Sequence, residues 1–270
     1  MPELPEVETI SRGLANTITG KTIARVEIGW KKIAISPKGV RFEKALIGET
    51  IRRVWRRAKY NVVDLSSGRR LVTSLRMTGR LIVQSAADRP YPYGHAILHF
   101  TDGSRLVFSE MRKFGRMRLV EVGEAWDADL GLEPLEKAFT PQAFIGMLSG
   151  RTTPIKALLL DQRRIAGIGN IYACEALWEA RIRPDRPAGK LTAPAIARLH
   201  AAIVDVLNLA IEMRGSSVDD YVDAEGLSGG FQNVLSVYGR LGQPCVRCER
   251  PIVRTVLGGR GTWWCRGCQR

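Results

Sequence analysis

Three observations predict an α+β chain. Hairpin-punctuated strands fill the first half behind one short amphipathic helix. Helical periodicity takes over near residue 140, and two Cys-x-x-Cys pairs close the chain. The expected layout is an N-terminal β-sandwich with a leading helix over 1–130 and a linker over 131–140. A helical region over 141–235 and a cysteine-bearing segment over 236–270 follow. At 270 residues the chain reaches the size, roughly 250–300 residues, at which one core gives way to two.

The leading helix is read from Val7, Ile10 and Leu14, which recur at helical spacing, with Gly13 weakening its end. Ile23–Ile28 then alternates as a strand. Asn61–Leu65 and Arg70–Leu75 flank Ser66-Ser67-Gly68, and Ala96–Phe100 and Arg105–Phe108 flank Thr101-Asp102-Gly103. Each set reads as a hairpin. Thr140-Pro141 offers an N-cap followed by proline in the first turn, a helix start. Ile155–Gln162 and Ile171–Ala180 read as helices joined by a Gly-rich turn. Ile196, Leu199, Ile203, Val206, Leu207 and Ala210 share one face of a third helix that stops by Gly215.

Charge narrows the partners. Lys and Arg outnumber Asp and Glu by 41 to 27, and the formal net charge is +14. Such a balance suits nucleic acid, an anionic membrane or an acidic protein. No apolar run reads as a membrane span, and the acidic start MPELPEVETI lacks the basic-then-apolar order of a signal peptide. The expectation is a soluble cytoplasmic protein without a membrane partner, with nucleic acid as its leading partner.

Four of the five cysteines form Cys245-x-x-Cys248 and Cys265-x-x-Cys268, separated by 16 residues. Each pair makes a tight knuckle that directs two thiolates at one metal, and two knuckles complete a tetrahedral four-sulfur zinc site. Four thiolates leave no position for substrate, so the zinc is expected to be structural. It supplies the folding energy that a 26-residue segment cannot draw from burial. Six arginines (247, 250, 254, 260, 266 and 270) against Glu249 make this ribbon basic. Arg260 stands out within Gly258-Gly259-Arg260-Gly261-Thr262. The glycines let a backbone approach a phosphate, and the guanidinium can hold it as a fork. Cys174 reads as a small buried helix residue, and His95, His99 and His200 carry no catalytic pattern.

At the other end, Pro2 is followed by Glu3 and Glu6. Within a chain a proline nitrogen is an amide, but after removal of Met1 it is a secondary amine. With an α-amino pKa near roughly 7.7–8, a useful fraction is uncharged at neutral pH. Such an amine can attack a sugar C1′ and form an iminium, while a neighbouring carboxyl moves protons. Acidic residues at a helix start also have a plain dipole explanation.

Met1-Pro-Glu-Leu-Pro-Glu-Val-Glu-Thr9 resembles the opening of the bacterial formamidopyrimidine-DNA glycosylases. Further landmarks lie in that family's order along nearly the whole chain. Arg57-Ala-Lys59-Tyr60 resembles its lysine-bearing strand, Leu75-Arg-Met77-Thr-Gly79 its void-filling loop, and Arg112-Lys-Phe114-Gly115 its arginine–phenylalanine wedge. Gly167-Ile-Gly-Asn170-Ile-Tyr-Ala173 is similar to the turn of its helix–two-turn–helix, and Val237-Tyr-Gly-Arg240 precedes the ribbon. The resemblance implies a monomeric glycosylase and abasic-site lyase of base excision repair, at the nucleoid. It would excise oxidised purines such as 8-oxoguanine and formamidopyrimidines from double-stranded damaged DNA. It implies Pro2 as Schiff-base nucleophile and Glu3 as general acid, with Glu6 supporting them. Lys59 would bind phosphate and assist β-elimination, and Arg260 would do the same for δ-elimination. Arg151, Lys156 and Asn170 would hold phosphates, and Met77, Arg112 and Phe114 would fill the gap left by a flipped base. An apolar side chain between base steps offsets part of the lost stacking, so the wedge also makes physical sense.

Several positions depart from the family pattern. Ser74 and Tyr93 stand where histidines are usual, Ser109-Glu110-Met111 replaces an aspartate–proline lead, and Asp219 stands near a usual arginine. Two other readings compete. One is the endonuclease VIII branch, with oxidised pyrimidines as substrate, against which Leu4 argues. The other is a non-catalytic damaged-DNA-binding module, against which the intact Pro2–Glu3 start argues.

Overall fold

The computed structural model describes residues 2–218 and 221–270, so Met1 and the Asp219 departure lie outside the described residues. The chain divides into two compact units. One comprises Met1–Ala128 with Met213–Gly230, the other Asp129–Glu212 with Phe231–Arg270.

In the first unit, helix α1 (Leu4–Ile18) is followed by β1 (Ile23–Ile28), β2 (Ala34–Ile35), the short helix α2 (Phe42–Leu46) and β3 (Ile51–Arg57). Then come β4 (Tyr60–Leu65), β5 (Arg70–Ser74), β6 (Gly79–Gln84), β7 (Gly94–Phe100), β8 (Arg105–Glu110) and β9 (Arg116–Val120). These strands form a four-stranded sheet, β1-β7-β8-β6, and a five-stranded sheet, β2-β9-β5-β4-β3. Both expected hairpins are present, pairing Val62 with Val72 and Ile97 with Val107. Alternation sends Leu98, Leu106 and Phe108 of one sheet and Leu65, Leu71 and Leu119 of the other into a single core. Ile10, Leu14 and Ile18 of α1 join it. The helix lies against β3 and β4: Asn61 Nδ2 donates to Val7 O (3.1 Å) and Ser11 Oγ (2.7 Å), and Ser11 Oγ donates to Trp55 O.

The segment Met213–Gly230 packs with this unit, although in sequence it lies within 141–235, the stretch read as helical. Val83 N donates to Ala224 O, Gly13 leaves room for Ala224, and Arg214 pairs with Asp223 and Glu225.

The second unit holds α3 (Pro141–Leu148), α4 (Ile155–Leu160), α5 (Asn170–Glu179), α6 (Ala193–Glu212), β10 (Val253–Leu257) and β11 (Arg260–Trp264). Thr140 caps α3 as its sequence promises, accepting from Ala143 N at 3.1 Å. Residues 131–140, expected as a linker, are built into this unit instead. Gly131 N and Leu132 N donate to Gln162 O and Arg164 O, and Phe139 stacks on His200. A side chain at 131 would lie 2.2 Å from Arg164 C, so glycine is required there. α6 is long and apolar enough, by length and composition alone, to cross a membrane, a test that the core helix of a folded domain also passes. Its apolar face, including Ile196, Leu199, Ile203 and Leu207, is buried, and the helix packs on α3 and α5. Arg198, Asp205 and Asn208 face solvent.

Leu14 is fully buried where α1 meets the sandwich core. Leu14→Ala should lower unfolding stability by about 2–5 kcal/mol, read from the urea midpoint. A change under about 0.5 kcal/mol would show that α1 is not part of that core.

Candidate functional site

The start of the chain is folded inward. Pro2, Glu3 and Glu6 are buried, with Glu3 3% and Glu6 2% exposed. Glu3 is the N-cap of α1, and the two acids bond reciprocally. The Glu3 carboxylate accepts from Glu6 N, and Glu3 N donates to Glu6 Oε2 at 2.8 Å. The other Glu6 oxygen accepts from Ser216 N at 2.8 Å. Gly215 makes that approach possible. Its φ is +81°, and a Cβ there would sit 2.9 Å from the Glu6 carboxylate. Tyr221 is buried beside them, and burial, then the Glu6 charge, pushes its hydroxyl far above the ordinary range, so it stays a neutral donor.

Lys59 lies on the β3–β4 turn, after Ala58 at φ 51°, rather than within a strand. The turn is carried beside the first turns of α1 because Arg56 Nε donates to Glu8 Oε2 (2.9 Å) and Asn61 to Val7 O. Burial disfavours the Glu8 charge, yet Arg56 and Arg12 hold that carboxyl below the usual range.

Met77 and Phe114 are 41% and 54% exposed, which removes both from the core and leaves apolar side chains at the surface. Arg112 is also exposed, with its guanidinium 5.5 Å from the Phe114 ring centroid. Their two loops are held together by Glu110, which is fully buried. Its Oε1 accepts from Thr78 Oγ1 and from Arg112 N (3.1 Å), and its Oε2 accepts from Gly115 N (2.5 Å). Gly79 and Gly115 are required by close approach. Added Cβ atoms would lie 2.4 Å from Leu75 O and 2.7 Å from Phe108 Cζ. The sequence marks Glu110 only as a departure from a family pattern; its organising role comes from the fold.

In the second unit the Gly258-Gly259-Arg260 tip joins β10 to β11, with Arg260 exposed. Beneath it, Lys156 Nζ donates to Gly261 O (2.9 Å) and Thr262 Oγ1 (2.7 Å), and Asn170 Nδ2 donates to Gly261 O (3.0 Å). Lys156, Asn170 and Arg260 are therefore brought together. Lys156, which the resemblance assigns to a phosphate, is fully buried here and grips the hairpin from below. Asn170 opens α5, after a turn braced by Gln162, which donates to Ile168 O and accepts from Gly167 N. Arg151 is exposed on the loop before α4 and does not join this cluster.

The four cysteine sulfurs lie within 4.8 Å of one another, with Cys245–Cys268 at 3.8 Å and Cys248–Cys265 at 3.4 Å. A tetrahedral zinc with Zn–S near 2.3 Å sets its sulfurs about 3.8 Å apart, so the donors fit one structural zinc. Sequence reasoning missed Glu175, a buried carboxylate that accepts from Ser236 N, Val237 N and Tyr238 N at 2.8–3.0 Å and so anchors the approach to the ribbon. Its only signal is an acid in an otherwise apolar helix face, Ile171-Tyr-Ala-Cys-Glu-Ala-Leu-Trp178. Cys174 is buried as expected, and burial pushes its thiol up to about 11.

Two outcomes follow from this geometry. Glu110→Gln should cost about 1–3 kcal/mol by mismatching one of the loop donors. The Arg112 and Gly115 amides should then exchange faster with deuterium, and unchanged exchange would mean Glu110 does not hold the loops. Metal analysis should find one zinc per chain, and Cys265→Ser should release it and unfold the ribbon. An ordered ribbon without metal would contradict the structural role.

Comparison with known proteins agrees with this layout. Residues 1–117 match the model of the formamidopyrimidine-DNA glycosylase N-terminal domain, and residues 130–222 that of the formamidopyrimidine-DNA glycosylase H2TH domain. Residues 242–270 match the zinc finger found in FPG and IleRS. The formamidopyrimidine-DNA glycosylase of Brevibacillus brevis is 46% identical over 100% of this chain and 99% of its own. The crystal structure of the MutM (FPG) protein from Thermus thermophilus superposes with a TM-score of 0.89 at 41% identity, covering 99% and 98% of the two chains. Wild-type Lactococcus lactis Fpg, solved in complex with N7-benzyl-Fapy-dG containing DNA, gives 0.92 at 34% identity over 100% of both chains. By full-length identity, by three successive domain models and by fold, the chain belongs to the formamidopyrimidine-DNA glycosylase family.

Proposed function

We propose that the protein is a bifunctional DNA glycosylase and abasic-site lyase of base excision repair. It acts as a monomer on damaged duplex DNA, in the cytoplasm at the nucleoid, and excises oxidised purines. The observation that carries this reading is the buried Pro2–Glu3–Glu6 constellation, in which the acids are fixed by each other and by Ser216.

The chemistry requires a chain from which Met1 has been removed, so that Pro2 is a secondary amine. Its lone pair attacks C1′, the glycosidic bond breaks, and the bonding electrons leave with the damaged base, which takes up a proton. Glu3 donates a proton to the ring oxygen as the sugar opens. The amine gives up its proton and becomes an iminium. The iminium acidifies C2′. Loss of that proton drives electrons toward the C3′–O bond, which breaks and releases a phosphate-terminated strand. A second elimination at C5′ breaks the C5′–O bond and releases the other strand end as a phosphate, and water then hydrolyses the iminium, freeing the sugar remnant as an unsaturated aldehyde and returning Pro2 as the amine. Lys59, on the turn beside α1, assists the first elimination by binding phosphate. Glu6 holds Glu3 in place.

In the second unit Arg260 offers a guanidinium fork to a phosphate, on a tip stiffened by Lys156 and Asn170. Phosphate held there is a better leaving group in the second elimination. The N-terminus of α5 adds its dipole and first amides, and Arg151 adds a flanking charge. Met77, Arg112 and Phe114 form the wedge: the ring and thioether replace lost stacking, and the guanidinium bonds the orphaned base. The zinc holds the ribbon's shape and takes no part in bond making.

Glu3→Gln should reduce base excision by roughly 10²–10⁴-fold, the usual weight of a general acid, while lesion-duplex binding persists. Turnover of 8-oxoguanine opposite cytosine should exceed that of thymine glycol in matched duplexes. Faster thymine glycol cleavage would assign the endonuclease VIII substrate class, and full activity in Glu3→Gln would remove Glu3 from the chemistry.

A further inference from the structure

The ribbon-bearing unit has a second basic feature, distant from the Arg260 tip. A cavity of about 510 Å³ opens among the Arg181–Arg186 stretch, the first turns of α6 and the two cysteine knuckles. The knuckles lie at the opposite end of five-residue strands from the tip, roughly 17 Å at about 3.3 Å per residue. Five arginines line the cavity, with no lysine and no acidic side chain among the lining residues.

One of them is already committed. Arg247 stacks 3.6 Å from the Trp178 ring centroid, donates to Trp178 O and pairs with Glu179. The others are not. Among the described residues Arg186 and Arg198 reach only the main-chain oxygens of Lys190 and Pro194, each at 3.3 Å. Among the described residues no carboxylate pairs with Arg181, Arg186, Arg198 or Arg270. A zinc tetrathiolate carries two negative charges, which these four guanidiniums outweigh. Uncompensated guanidiniums converging on one concavity repel each other, and an anion between them relieves that cost.

The cavity is also held open in advance. Arg270 N donates to Arg181 O (3.1 Å), Arg183 N to Arg270 O (3.3 Å), and Gln269 Nε2 to Ile182 O (2.8 Å). Ile182 and Ala195 are almost fully buried and give it an apolar floor. Planar guanidinium forks match phosphate oxygens in pairs, and the aliphatic stems behind them give a sugar or a base apolar surface to lie against. The volume suits one compact ligand rather than an extended peptide.

We propose that this cavity is a second anion site, separate from the Arg260 tip, that takes the phosphate of a single nucleotide unit. That unit is either a free nucleotide or the phosphorylated end of a DNA strand; both present the same chemistry. The zinc knuckles would then shape a ligand site as well as hold the ribbon.

The test uses the full-length zinc-loaded protein and calorimetric titration with ADP, with a 5′-phosphorylated thymidine trinucleotide, and with hexaglutamate. ADP or the trinucleotide should bind at one site per chain. The Arg186→Gln/Arg198→Gln double variant should weaken that binding by roughly tenfold or more, from the loss of two charge-assisted contacts, with lesion-duplex cleavage kept within about twofold. Binding of ADP identifies a free nucleotide as the source, and binding of the trinucleotide alone identifies a strand end. The proposal is overturned if neither probe binds, if the variant binds as well as wild type, if an undamaged duplex displaces the probe competitively, or if hexaglutamate binds more tightly than both.

Discussion

The reciprocal hydrogen bonds between Glu3 and Glu6 are the constraint on which the first unit's chemistry depends. A chain terminus ordinarily frays, because nothing offsets the entropy of ordering it. Here each acid satisfies the other's backbone amide, and the spare oxygen of Glu6 takes Ser216 N. Pro2 is thereby held inside the fold, against a segment that arrives from more than two hundred residues later. The same bonds explain why position 215 is glycine, since any side chain there would strike the Glu6 carboxylate.

Buried carboxylates recur as organisers. Glu6 gathers Glu3 N and Ser216 N, Glu110 gathers Thr78, Arg112 N and Gly115 N, and Glu175 gathers the amides of 236–238. A carboxylate without donors would be costly to bury, and loop amides without acceptors would be too, so each arrangement relieves both costs at once. For Glu175 burial still dominates and holds the carboxyl above its usual range, with the three amides pulling it back. The cation counterpart is Lys156, which lies beneath the Arg260 tip and exchanges its hydration for Gly261 O and Thr262 Oγ1.

What could be read from the sequence follows from how local each signal is. The hairpins around Gly68 and Gly103, the Thr140 cap and the cysteine knuckles depend on neighbours a few positions apart, and all were legible. The packing of Met213–Gly230 on α1 was not, because it depends on Gly13 meeting Ala224 and Gly215 meeting Glu6. Likewise residues 131–140 look like a linker by composition, while their amides pair with the turn at 162–166. Among the site residues, the four cysteines carry their chemistry in their spacing, whereas Pro2 and Glu3 take their roles from the family resemblance, because acids at a helix start also have a plain dipole explanation. Met77 and Phe114 carry no local signal, since an isolated apolar residue reads as core and only the fold shows both side chains exposed. Lys156 is tied to phosphate by the resemblance alone, and nothing local in the sequence marks it as the buried brace of the hairpin that the fold makes of it.

Trapping the covalent intermediate decides whether the amine of Pro2 is the nucleophile. Wild-type protein is incubated with an abasic-site duplex, reduced with borohydride, digested, and analysed by mass spectrometry alongside the intact mass of the free protein. The account predicts an intact mass lacking Met1 and a sugar adduct on the nitrogen of Pro2. An adduct on Lys59, or fully active protein that retains Met1, would contradict it.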